Sequence, residues 1–138
     1  DGEMQLNQAG EIVKKEWVRT QSIRENLKIH IDEFCVMPNH LHALIILDTP
    51  ILPPINGRFP STGEEITSFK SPSQNLGSII RGFKASCTKQ IRNLGASDFR
   101  WQKNYYDHIV RDFASLDQIR KYIINNPAKW QEDELFTL

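Results

Sequence analysis

The period at which apolar residues return changes along this chain, and each change predicts an element. Through "QAGEIVKKEWVRTQSIREN", residues 8–26, Ile12, Val13, Trp17 and Ile23 fall roughly on one stripe at helical spacing. "LKIHIDEFCVM" then alternates every second residue, with Ile29, Ile31 and Glu33 on one face and His30, Asp32 and Phe34 on the other. That is the period of a strand. Pro38-Asn39 punctuates it, and "HLHALIIL" resumes as a second strand, so 28–48 reads as an antiparallel hairpin. Residues 76–93 predict the clearest helix, with Leu76, Ile79, Ile80, Phe83, Cys87 and Ile91 on one stripe. "FRWQKNYYDHIVRD" reads as a short strand or extended segment. A last helix is expected from Ser115, where S-L-D-Q makes a capping box with Gln118, until Pro127 stops it.

Helix, hairpin, helix, strand-like piece and helix predict an α+β sandwich, with helices on an antiparallel sheet. At 138 residues the chain is expected to form a single domain over 1–138. A long loop at about 49–75 holds five of the seven prolines, and loops of that length inside a domain are usually functional.

Composition narrows the class. With 39% hydrophobic and 25% charged residues the chain is an ordinary globular one. It contains neither a membrane-length apolar run nor a basic-then-apolar leader, so a cytoplasmic protein is expected. It opens at "DGEMQLN" without an initiator Met, as a piece of a longer protein would. Cys35 and Cys87 lack C-x-x-C spacing and read as free buried thiols. Seventeen basic and seventeen acidic residues cancel, but they are unevenly spread. From Lys70 to Lys103 there are seven Lys or Arg against one acid, Asp98. Arg81, Lys84, Lys89 and Arg92 then form either a polyanion-binding stripe or a solvated helix face.

Candidate chemistry starts at "VMPNHLHALIIL". On a strand, His40 and His42 share one face, where two neutral imidazoles can hold a divalent metal. Taken alone, the motif reads more readily as two partly buried polar rings at a sheet margin. Tyr122 and Asn126 are helical neighbours, and an amide oxygen is a reasonable third ligand for Mg or Mn. A tyrosine beside such a metal could attack a phosphodiester; alone, it could as well pack on Ile119 or Ile123. Because Asn126 precedes Pro127, its helical geometry is disfavoured. His108 reads as a ligand, a phosphate contact or a hydrogen-bonded structural residue, and His30 as structural. Trp101, Tyr105 and Tyr106, interleaved with Arg100, Lys103 and Arg111, suggest a platform for unpaired bases, with core packing the other reading for Trp101.

In order, "MPNHLHALI", "SIIRGFKASCTKQI", "WQKNYYDHIVRD" and "IRKYIINNPAKW" resemble the REP-associated tyrosine transposases, single-tyrosine members of the HUH single-strand DNA nucleases. The likeness runs from about residue 3 to 134. It implies a ferredoxin-like sandwich in which His40 and His42 bind Mg or Mn, Asn126 is the third ligand and Tyr122 is the nucleophile. It implies cleavage of one DNA strand beside a hairpin, leaving a 5′-phosphotyrosine and a free 3′-OH. The basic stripe, the aromatic platform and His108 give the candidate DNA contacts: Arg81, Lys84, Lys89, Arg92, Trp101, Lys103, His108 and Arg111. Such proteins work as monomers or homodimers. The family carries another strand ahead of the first helix, and this sequence begins after where it should lie: either the sequence is part of a longer protein or the strand is lost. Loss would favour a rival reading, a domesticated protein that binds DNA hairpins without cutting. No Asp or Glu in the motifs is an evident base for Tyr122.

Overall fold

The computed structural model describes residues 4–23, 29–47 and 72–135. They form α1 (Gln8–Ile23), β1 (Ile29–Val36), β2 (Leu41–Leu47), α2 (Pro72–Asn93), α3 (Phe113–Asn125) and a short 3-10 helix (Pro127–Glu132). The arrangement is α+β, with one two-stranded antiparallel sheet among the described residues. None of their helices is long and apolar enough to cross a membrane.

Helix α1 starts where Asn7 Oδ1 accepts from Gly10 N–H at 2.9 Å, satisfying a donor that the first turn leaves unpaired. It buries Val13, Glu16, Trp17 and Thr20, one stripe at helical spacing. Trp17, 1% exposed, meets the Phe83 ring edge-on at 5.1 Å and locks α1 to α2. Glu16 joins the same interface, accepting from Ser86 Oγ at 2.8 Å and Gln90 Nε2 at 2.7 Å. Helix α2 begins at Pro72, four residues ahead of the expected start, because proline suits the first helical position, where no N–H is needed. The rest of the expected 49–75 loop lies outside the described residues. Gly95, at φ 109°, ends α2 by taking the left-handed conformation and donating to the Arg92 carbonyl at 3.0 Å.

The hairpin corrects one reading of the sequence. Register runs Ile31↔Ile45 and then Phe34↔Ala43, so Asp32 and Glu33 together face a single position of β2. This β-bulge puts Phe34 on the same face as Ile31, not on the opposite one. Ile31, Phe34, Val36, Leu41 and Ile45 therefore pack toward Val13, Trp17, Phe83, Cys87 and Ile91 of α1 and α2. On the other face Cys35, Met37 and Leu44 meet Ile123 of α3. Both thiols are free and buried, as the sequence suggested. The bulge also aims Asp32 at α3, where Arg120 donates to both of its carboxylate oxygens.

Two further expectations change. Of the two readings of residues 99–112, a short strand or an extended segment, the strand does not form: the segment has no regular secondary structure. The cap of α3 is Asp112, not Ser115: its carboxylate accepts from Ser115 N–H at 2.7 Å and Ser115 Oγ at 3.0 Å, so the helix starts at Phe113.

Candidate metal centre

The turn Met37–His40 closes when Met37 N–H donates to the His40 carbonyl at 2.8 Å. It delivers His40 to the mouth of β2, and strand alternation places His42 on the same face. Their Nε2 atoms lie 2.9 Å apart, with the rings edge-to-face and centroids 4.5 Å apart. The face is the α3 side of the sheet, where Cys35 stands opposite His42.

A third group arrives from the far end of the chain. Asp133 follows the 3-10 helix, its side chain only 4% exposed, with Oδ2 3.6 Å from His40 Nε2 and 3.8 Å from His42 Nε2. Its other oxygen accepts from Leu135 N–H at 2.7 Å, which leaves Oδ2 aimed at the imidazoles. One ligand atom from each of the three residues lies within 4.8 Å of the others. Sequence reasoning missed Asp133 because "QEDEL" offers neighbouring acids with no spacing that marks one of them.

Electrostatics suits a cation. Burial pushes the His40 imidazole below its usual range, and its neighbour His42 adds to this, against the pull of Asp133. Burial likewise lowers His42, and Asp133 opposes it. Both rings are therefore neutral at pH 7, the form that binds metal. The Leu135 N–H holds the Asp133 carboxyl low against its burial, helped by His40, His42 and Asn126. Asp133 Oδ2 and Asn126 Nδ2 are buried and make no hydrogen bond of normal geometry. Buried polar atoms are normally partnered. Two imidazole nitrogens and a buried carboxylate oxygen without a hydrogen bond, gathered around one point, fit a divalent cation.

Helix α3 brings up the remaining predicted residues. The Tyr122 ring meets the His42 ring edge-on at a centroid distance of 5.4 Å, and Tyr122 is 56% exposed. Asn126 is buried and keeps helical angles (φ −61°, ψ −42°) although it precedes Pro127. The Trp130 ring flanks His40 at 5.9 Å.

The basic and aromatic residues divide into two groups. Lys84 Nζ donates to the carbonyls of Gln102 and Asn104 at 3.1 and 2.9 Å, and Arg92 donates twice to that of Phe99. These two cations pin the irregular segment to α2. Trp101 belongs to the core: its ring packs on Phe83 and Phe99, and its N–H donates to the Lys84 carbonyl at 3.2 Å. Arg81, Lys89, Lys103, His108 and Arg111 are exposed, as is His30, and Tyr106 is fully so.

The chain is 39% identical to an uncharacterised protein of Haemophilus influenzae over 139 aligned positions, covering 97% of this chain and 73% of that protein. No family model matches the chain. No solved structure matches it.

Proposed function

The chain belongs to the family of the uncharacterised Haemophilus influenzae protein, and we propose that it is a metal-dependent single-strand DNA endonuclease and strand transferase with Tyr122 as its nucleophile. One observation carries the reading: an exposed tyrosine stands edge-on to one of two half-buried histidines that share a point with a carboxylate. His40, His42 and Asp133 would hold the ion, with the Asn126 side chain beside them. Manganese suits two imidazoles and a carboxylate better than magnesium, which prefers an all-oxygen shell. A divalent cation bound there would polarise the scissile phosphate as a Lewis acid.

The residues of the chain supply the rest. The Tyr122 hydroxyl oxygen forms the new bond to phosphorus, and the bond from phosphorus to the 3′-oxygen breaks. The phenolic proton passes to solvent, and solvent returns one to the departing 3′-oxygen. The products are a 5′-phosphotyrosine and a 3′-OH, and reversal with another 3′-OH joins strands. Neutral His40 and His42 and ionised Asp133 keep one net negative charge at the ion, leaving it attractive to phosphate. Arg81, Lys89, Lys103 and Arg111 offer charges to the DNA backbone, and exposed Tyr106 offers a face to an unpaired base.

Labelled single-stranded DNA with a flanking hairpin, incubated with the protein and Mn and run on a denaturing gel, tests this. A protein-sized labelled band, absent from Tyr122→Phe, is the expected result. Tight hairpin binding with no band on any such DNA would overturn the nuclease and leave a non-cutting hairpin binder.

A further inference from the structure

We infer that Asn39 is a positioning residue: it fixes the neutral tautomer of His40 and ties that ring to the segment that carries Asp133. The inference deepens the metal reading and rests on it only for its effect on metal affinity.

The orientation of the Asn39 amide follows from its partners. One end lies 2.7 Å from the Leu135 carbonyl oxygen, which can only accept. That end is the NH₂, since the reverse placement would press two acceptor oxygens together at 2.7 Å. The Asn39 oxygen therefore faces His40 Nδ1, also at 2.7 Å. An amide oxygen cannot donate, so Nδ1 carries the proton. A neutral imidazole has one N–H, and Nε2 is left with a lone pair.

That lone pair is the one that matters. His40 Nε2 is the atom 2.9 Å from His42 Nε2 and 3.6 Å from Asp133 Oδ2. Histidine left to itself in water prefers the other tautomer, with the proton on Nε2, where it would block a cation. Asn39 reverses this preference. The connection then continues through Leu135, whose N–H donates to Asp133 Oδ1 at 2.7 Å. A single path thus runs from His40 through the Asn39 amide and the Leu135 backbone to Asp133, fixing both groups from behind. Second-layer partners of this kind orient ligands and typically change metal affinity by about 10–100-fold. The bland role for an asparagine after proline is to favour the turn, and two variants separate the roles. Asn39→Gly keeps the turn and loses both side-chain bonds. Asn39→Asp keeps an acceptor for His40 and loses the donor to Leu135.

The test is long-range nitrogen–proton NMR of the histidine rings in metal-free protein at mildly alkaline pH, with His40 assigned from its absence in His40→Gln. Wild type should show His40 protonated on Nδ1, Asn39→Gly should shift it toward Nε2, and Asn39→Asp should retain Nδ1. Calorimetric Mn titration should show affinity about 10–100-fold weaker in Asn39→Gly. His40 protonated on Nε2 in wild type, or unchanged in Asn39→Gly, would overturn the inference. Because the tautomer is read without metal, a wild type that binds no Mn yet shows this pattern removes the metal reading alone. A wild type that binds Mn while Asn39→Gly matches it in tautomer and affinity removes the role of Asn39 alone. Should Asn39→Gly fail to fold, the wild-type tautomer and Asn39→Asp still decide.

Discussion

Tyr122 meets His42 edge to face, with ring centroids 5.4 Å apart, and more than half of the tyrosine remains open to solvent. Ile123, the next residue, is buried against the sheet with Leu116 and Ile119 packed beside it, so α3 is anchored there while Tyr122 stands free at the site. Tyr122→Phe removes a hydroxyl from a largely exposed side chain, with no hydrogen bond to it among the described residues. Its stability should stay within about 0.5 kcal/mol of wild type, as for surface substitutions generally, while the covalent DNA adduct disappears. Denaturant melts beside the adduct gel check both. A large loss of stability would mean that the hydroxyl serves the fold.

Asp133 should be as necessary to metal binding as the histidines. An ion held at a hundredfold excess over its Kd stabilises the folded chain by about 2.7 kcal/mol, a rise of several degrees in Tm. Wild type should show that rise with Mn. Asp133→Asn, which keeps the shape and removes the charge, should lose most of it, and His42→Ala should lose it entirely. An undiminished shift in Asp133→Asn would return the third-ligand role to Asn126.

How much of this was legible depended on the reach of each interaction. His40 and His42 were, because strand alternation and the Pro38-Asn39 turn act over a few residues. That Tyr122 and Asn126 neighbour each other was, because one helical turn separates them, but their place beside the histidines depends on how α3 packs on the sheet, which spacing does not give. Asp133 was not: it reaches the site through a 3-10 helix after Pro127 and a bond to its own Leu135, and no periodicity announces either. The face of Phe34 was hidden by a bulge of one residue. The cap of α3 was ambiguous because Asp112 and Ser115 can both cap, and they bond each other here. Lys84 and Arg92 looked like the other cations until the irregular segment placed carbonyls beside them.

Glu16 should matter to the fold as much as an apolar core residue does. Burial pushes its carboxyl up, but hydrogen bonds from Gln90 and Ser86 and the Arg19 charge outweigh this and keep it acidic. Glu16→Ala strands both donors between α1 and α2. The expected cost is about 1–3 kcal/mol, the usual penalty for buried polar groups left unpaired. Urea melts measure it, and the combination with Ser86→Ala and Gln90→Leu should recover part of the loss.

Cys87 should resist thiol reagents in the native protein. Its pKa is pushed up to about 12 by burial, with the Glu16 charge adding to the effect. The reactive thiolate is thus scarce at neutral pH and sheltered where it forms. Labelling of Cys87 in Cys35→Ser should follow global unfolding as denaturant rises. Rapid labelling in native buffer would show that α1 and α2 separate locally.

The Asp32–Arg120 pair should make stability depend on acid pH, with a definite sign. Arg120 Nε donates to Asp32 Oδ1 at 2.8 Å and its other nitrogen to Oδ2, joining the bulge of β1 to α3. The hydrogen bond from Arg120 holds the Asp32 carboxyl below its usual 3.8, against burial and with help from the Glu33 N–H and the Arg120 charge. A carboxyl lowered by folding adds stability above its unfolded pKa and loses it as pH falls through the folded one. Asp32→Asn should therefore melt below wild type at neutral pH. The gap should hold steady down to about the unfolded value of 3.8 and close at lower pH, where the wild-type carboxyl also takes up a proton. Both residues are partly open to water, so added salt should narrow the neutral-pH gap. A gap constant across the whole range would mean that Asp32 acts through the shape of the bulge rather than its charge.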